Sequence, residues 1–131
     1  MGAMKTPALF IIGVITLASA SLAVDPPPDG GYPGDNTAEG TDALFSLTGG
    51  MENTAIGADA LHATTGGIGN TGVGHSALLL NTTGDDNTAI GALALYNNTV
   101  GSDNMASGDY ALYTNTTGED NTAAGHFFSL S

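Results

Sequence analysis

Along the chain, short apolar clusters alternate with stretches of Gly, Thr and Asn, and the alternation keeps a period of 17 residues from Asn36 onward. Asn36, Asn53, Asn70, Asn87, Asn104 and Asn121 mark its phase without an insertion or deletion. Aligned on them, the units read NTAEGTDALFSLTGGME, NTAIGADALHATTGGIG, NTGVGHSALLLNTTGDD, NTAIGALALYNNTVGSD, NMASGDYALYTNTTGED and the shortened NTAAGHFFSLS. With Asn as position 1, glycine fills position 5 from Gly40 to Gly125, and Ala-Leu fills positions 8 and 9 from Ala43-Leu44 to Ala111-Leu112. Threonine holds position 13 from Thr48 to Thr116, and glycine holds position 15 from Gly50 to Gly118.

A helical array cannot carry this pattern. Two fixed glycines and a Thr/Asn-rich stretch in every unit would break helices repeatedly, and helical repeats run to about 34 residues because each must hold two helices. The period predicts an all-β fold, a parallel β-solenoid (β-roll) of six 17-residue coils. Thr-Ala-Ile and Ala-Leu-Tyr are the predicted strands. Gly at position 5 and the Thr-Thr-Gly stretch are the predicted corners, where glycine adopts positive φ cheaply. Coils spaced by about 4.8 Å give a rod about 29 Å long. Stacking sets like on like, so the Ala, Leu and Ile columns are expected inside. The Asn column reads as an amide ladder or as left-handed turn residues, and the Thr column as a hydrogen-bonded ladder or an exposed β-branched surface.

The segments outside the repeat divide simply. Residues 1–23 read as a signal peptide: Lys5, an apolar run from Ala8 to Ala18, then Ser21 and Ala23 before a cleavage point, with a second possible point after Ala20. The run is shorter than the ~20 residues needed to span a bilayer; an uncleaved anchor is the alternative. Residues 24–35 form a Pro/Gly-rich arm, stiffened by Pro26-Pro27-Pro28, and residues 36–131 the solenoid. Gly30 to Ser131 is 131 − 30 + 1 = 102 residues, or 6 × 17, so both ends share one phase. That phase predicts head-to-tail stacking into filaments, a heterologous contact that does not close, with Tyr32 at one end and Phe127 and Phe128 at the other. The alternative is that the two phenylalanines fold over the end as a plug.

Charge narrows the functions. Lys5 is the one Lys or Arg against 13 Asp and Glu, and the net charge is −12. Nucleic acid and anionic membranes both need cations on the protein, so neither is an expected partner. Without cysteine there are no disulfides or thiolate chemistry. No nucleophile, base and orienting group share a spacing that would bring them together, so no enzyme activity and no cofactor are expected. His75 and His126 share position 6 but lie three coils, about 14 Å, apart. They and His62 read as surface residues.

Three further columns carry candidate chemistry. Asp35, Glu52, Asp86, Asp103 and Asp120 each precede a repeat Asn, with Asp85 and Glu119 beside two of them. Stacked carboxylates suit a hard cation, which makes Asp86, Asp103 and Asp120 calcium candidates; Gly69 interrupts the row, and a solvated acidic edge is the alternative. Asn81, Asn97 and Asn115 open N-glycosylation sequons at one corner of three coils, which would make the chain a glycoprotein, unless Asn-Thr serves there as a turn. Tyr96 and Tyr113 share position 10, as a sugar-stacking strip or as inward packing beside Leu95 and Leu112.

NTAIGADAL (residues 53–61) and NTAIGALAL (residues 87–95) resemble the head repeats of YadA-type trimeric autotransporter adhesins and related repeats of bacterial surface and phage tail-fibre proteins. The likeness covers about residues 36–125. It implies a left-handed parallel β-roll, a trimer, and a role in adhesion. The 17-residue period is longer than that of the head repeat, and neither stalk nor membrane barrel is recognisable. The expected function is a secreted structural protein, the subunit of an extracellular fibre with a role in surface or matrix attachment. The alternative is an adhesin-type binding module for calcium or carbohydrate.

Overall fold

The computed structural model describes residues 32–126; the proposed signal peptide, most of the arm, Phe127 and Phe128 lie outside the described residues. The chain is a parallel β-solenoid. Its strands are β1 (Thr37–Glu39), β2 (Thr54–Ile56), β3 (Thr71–Val73), β4 (Thr88–Ile90), β5 (Met105–Ser107) and β6 (Thr122–Ala124). They form one six-stranded sheet in sequence order. Every pair is parallel and in 17-residue register, Thr54 on Thr71 and Ile56 on Val73 for example. No helix is present among the described residues.

Each strand follows from three residues. Position 2 in five coils and position 4 in three are β-branched and fit a pleated surface. Between them stands Ala, or Gly72, whose side faces inward because strand residues alternate. Position 5 then ends the strand. Its φ lies between 124° and 135° in all six coils, and a Cβ on Gly91 would sit 2.6 Å from the carbonyl carbon of Gly108. Glycine is required there twice over, by backbone angle and by proximity.

Alternation also corrects one expectation. The position-4 aliphatics are on the outside: Ile56 is 43% exposed and Ile90 48%. The buried core is a thin layer of Ala at positions 3 and 8 and Leu at position 9, with Leu61, Leu78, Leu95 and Leu112 fully buried. Small side chains fill it because the two limbs of the coil run close together: a Cβ on Gly72 would already meet the Leu61 side chain at 3.3 Å.

The second limb departs from expectation too. Ala-Leu-Tyr is not a strand, because the position-9 leucine is left-handed in each of the five coils that carry it: φ is 52° at Leu44, 52° at Leu61, 53° at Leu78, 50° at Leu95 and 51° at Leu112. Position 7 is left-handed as well, from Asp42 (55°) to Tyr110 (59°). These turns point successive N–H groups along the rod in opposite directions. Asp59 donates back to Thr41 O at 2.9 Å, and Leu61 donates forward to Ala77 O at 2.9 Å. Left-handed backbone costs a leucine roughly 1–2 kcal/mol. Full burial of its side chain returns about 1.5–3 kcal/mol, and the paired N–H adds to that. Packing and pairing therefore outweigh the local penalty.

The Thr-Thr-Gly corner works differently from the expectation that its glycine supplies positive φ. None of Gly50, Gly67, Gly84, Gly101 and Gly118 is left-handed. Their constraint is contact between coils: a Cβ on Gly67 would lie 2.6 Å from Gly84 O.

The solenoid also starts earlier than residue 36. Glu52 N donates to Gly34 O at 2.7 Å, and Asn36 Nδ2 donates to Pro33 O at 2.6 Å. Residues 32–35, the last of the sequence-defined arm, thus pack as the trailing corner of a preceding coil.

Candidate functional site

The dominant side-chain feature is a buried amide column. Asn53 Nδ2 donates to Asn36 Oδ1 at 3.0 Å, and the same bond recurs to Asn121, whose Nδ2 meets Asn104 Oδ1 at 3.0 Å. Each Nδ2 from Asn36 to Asn104 uses its other hydrogen on the position-15 carbonyl of its own coil, as Asn53 does with Gly67 O at 2.7 Å. None of these asparagines is left-handed. At the first coil no earlier asparagine precedes Asn36, and the carbonyl of Pro33 accepts in its place.

A second amide column runs at position 12 through the sequon corner. Asn98 Nδ2 donates to Asn81 Oδ1 at 3.1 Å, and Asn115 Nδ2 to Asn98 Oδ1 at 3.2 Å. Asn81 is fully buried, and its Nδ2 also donates to Gly84 O at 3.0 Å. A glycan on Asn81 is therefore incompatible with the folded coil, since it would have to displace the ladder. Asn115 is half-buried and spends its Nδ2 on Asn98 Oδ1 and Gly118 O. Asn97, at position 11, is half-buried with its Nδ2 on Tyr113 O at 2.7 Å. The 17-residue spacing of Asn81, Asn98 and Asn115 carries the same signal as the first column, overlaid on the sequons.

The threonines at position 13 also bridge coils. Thr82 Oγ1 donates to Thr99 O at 2.9 Å, and Thr99 Oγ1 to Thr116 O at 2.9 Å.

At position 17 the backbone is left-handed in every coil: φ is 59° at Asp35, 59° at Glu52, 69° at Gly69, 53° at Asp86, 59° at Asp103 and 57° at Asp120. Asp and Gly both tolerate that angle, so Gly69 meets the same requirement as its acidic neighbours. Asp86, Asp103 and Asp120 are exposed. The His/Asp/Glu group whose ligand atoms converge lies elsewhere: Asp42, Asp59 and His62, within 4.8 Å of one another. Neither aspartate belongs to the acidic row that precedes the repeat asparagines. The signal for them was an Asp at position 7 in two successive coils with a His three residues on.

Position 10 carries two stacked aromatic pairs, separated by Leu79. Phe45 and His62 stack with centroids 5.2 Å apart and planes 7° from parallel, and Tyr96 and Tyr113 stack at 5.3 Å and 22°. The ring faces of Tyr96 and Tyr113 are thus turned on each other, outside the buried Leu95 and Leu112. His75 and His126 are exposed, and His126 meets Tyr110 edge-on at 6.2 Å.

The last candidate surface is at the first coil. A groove of about 460 Å³ is lined by Tyr32, Pro33, Leu44, Leu47 and Met51, among others. Its lining joins the start of the described chain, Tyr32 to Gly34, to the second limb and trailing corner of the first coil. Among the described residues, the outer edge of the first coil's strand region carries one isolated bridge, between Tyr32 and Asn36.

No family model, curated protein or solved structure matches the chain. Among the described residues no helix is long and apolar enough to cross a membrane.

Proposed function

We propose that the chain is a non-catalytic structural protein, the subunit of an extracellular fibre that grows by head-to-tail stacking of coils and serves in surface or matrix attachment. The observation that supports it most is the first coil: among the described residues β1 pairs on one side only, and an apolar groove lined by Tyr32, Leu44, Leu47 and Met51 lies on the same coil. Unpaired edges of this kind are templates for pairing with another chain. Threonine and backbone bonds between coils repeat in one register through the solenoid, so an added chain would meet backbone partners of the same spacing. A contact between two different ends does not close on itself and builds a filament.

Export is part of the proposal and rests on the short apolar run with Ser21 and Ala23 behind it. Attachment rests on the NTAIG resemblance to adhesin heads. Expected partners are further copies of the chain; nucleic acid and anionic membranes are disfavoured, because among the described residues there is no Lys or Arg. The carbohydrate reading is weaker, since a sugar stacks on a ring face and the faces of Tyr96 and Tyr113 are turned on one another.

Negative-stain microscopy and sedimentation of the purified mature chain at rising concentration test the proposal. Filaments with a smooth, unbranched outline are expected. A chain that stays monomeric up to the millimolar range sinks it.

A further inference from the structure

We infer that the first two coils carry a site for a divalent transition-metal ion, formed by Asp42, Asp59 and His62. One carboxylate oxygen from each aspartate and one ring nitrogen of the histidine lie within 4.8 Å of one another. The fold brings them together by its own period. Asp42 and Asp59 are the same position of successive coils, held in step by Asp59 N on Thr41 O at 2.9 Å. Both are left-handed, at 55° and 58°, and the turn that follows carries His62 back toward them. The Phe45 ring lies parallel to the imidazole at 5.2 Å, which fixes the plane in which its nitrogens point.

Electrostatics favour an occupant. Two carboxylates one coil apart repel, and the described residues hold no Lys or Arg to offset them. The pair is also local: position 7 becomes Ser76, Leu93 and Tyr110 in later coils, and position 10 becomes Leu79, Tyr96 and Tyr113. The imidazole makes this trio different from an acidic edge and sets the metal class. Calcium and magnesium prefer all-oxygen ligands, whereas zinc and its neighbours take one imidazole with two carboxylates at about 2.0–2.2 Å. A tetrahedral ion needs ligand atoms about 3.3 Å apart, a closure within reach of rotation about the aspartate side chains. Asp42 is exposed, so water completes the shell. The bound ion would clamp the first described coil to the second.

The test uses the full chain, stripped with a chelator and titrated with Zn²⁺ by calorimetry, with the three histidines followed by NMR. Saturable binding of a single ion is expected, with the ring signals of His62 shifting and those of His75 and His126 unmoved. His62→Gln and Asp59→Asn should each weaken binding by about tenfold or more, and Ca²⁺ should not compete. If Zn²⁺ fails to saturate below the millimolar range, or moves all three histidines alike, the site does not exist. If His62→Gln, folded by circular dichroism, binds as well as the parent chain, the ion sits on a diffuse acidic surface and the assignment is overturned.

Discussion

Asn87 spends both its backbone N–H and its side-chain Nδ2 on one atom, the Oδ1 of Asn70, at 3.0 Å each. Asn70 in turn donates to Asn53 Oδ1 at 3.1 Å and Gly84 O at 2.7 Å. A side-chain amide has two acceptor sites and two donor hydrogens, and here all four are used. No other residue of this size offers two of each, which is why one residue type recurs at the head of every coil.

Asn70→Ala should therefore cost much more than a lost contact. It strands the Asn87 N–H and one hydrogen of Asn87 Nδ2 inside the solenoid, at about 1–3 kcal/mol per group that water cannot reach, while Asn53 Oδ1 keeps the residue-70 N–H and Gly84 O keeps Asn81 Nδ2. A loss of roughly 3 kcal/mol or more is expected in urea unfolding. Asn70→Asp keeps the shape but sets a carboxylate against two oxygens, and should be at least as damaging near neutral pH.

Two glycines separate backbone need from tolerance. At Gly91, φ is 131° and a Cβ would sit 2.6 Å from the Gly108 carbonyl, where only backbone could yield. At Gly66 a Cβ meets nothing within 4 Å. Gly91→Ala should destabilise by several kcal/mol or prevent folding. Gly66→Ala should be neutral or raise stability by up to about 1 kcal/mol, by restricting the unfolded chain. Thermal melts of the two variants beside the parent chain decide the matter.

The coil length, the stacking and the amide ladder were legible because each depends on a residue type recurring at one phase. The left-handed leucines were not. Leu44 and its copies look like strand residues, and only the tertiary structure shows that full burial and coil-to-coil pairing can hold a leucine near φ 50°. Position 17 was half-legible: Gly69 among acidic residues is the mark of a left-handed backbone, but the charge of its neighbours equally fits a cation site. The outward Ile56 and Ile90 could have been read from alternation about Ala55 and Ala89, had the strand been placed one residue at a time. Asp42, Asp59 and His62 could not, because their meeting depends on the turn between positions 7 and 10.

Thr64 exposes a defect in the second amide column. It is fully buried, and its hydroxyl has no hydrogen-bond partner. In later coils position 12 is Asn, bonded to the next coil's Asn and to a position-15 carbonyl. Thr64→Asn should extend the ladder, its Oδ1 accepting from Asn81 Nδ2 and its own Nδ2 reaching Gly67 O. A gain of about 1 kcal/mol is expected from the new bonds. Thr64→Val, which removes the stranded hydroxyl at constant shape, should also stabilise, by about 1–2 kcal/mol. Lower urea midpoints in both variants would mean that the hydroxyl is satisfied in solution.

Assembly through the first coil makes a prediction that depends on direction. Met51 lines the groove and is 46% exposed, so Met51→Glu should leave the melting temperature of the single chain nearly unchanged. Stacking, however, would bury the new carboxylate without a partner, and the variant alone should form no filaments. Its opposite end remains intact. Mixed with the parent chain, it can still join a growing filament by that end, after which its own groove refuses the next subunit. Small fractions of Met51→Glu should therefore shorten filaments, in proportion to the fraction added. Met105→Glu, which places the same charge on the outer face of the sheet, should have no such effect. If Met51→Glu filaments form at parent length, growth does not pass through the groove at the first coil. If both variants shorten filaments equally, added charge alone opposes association and the end-specific contact is wrong.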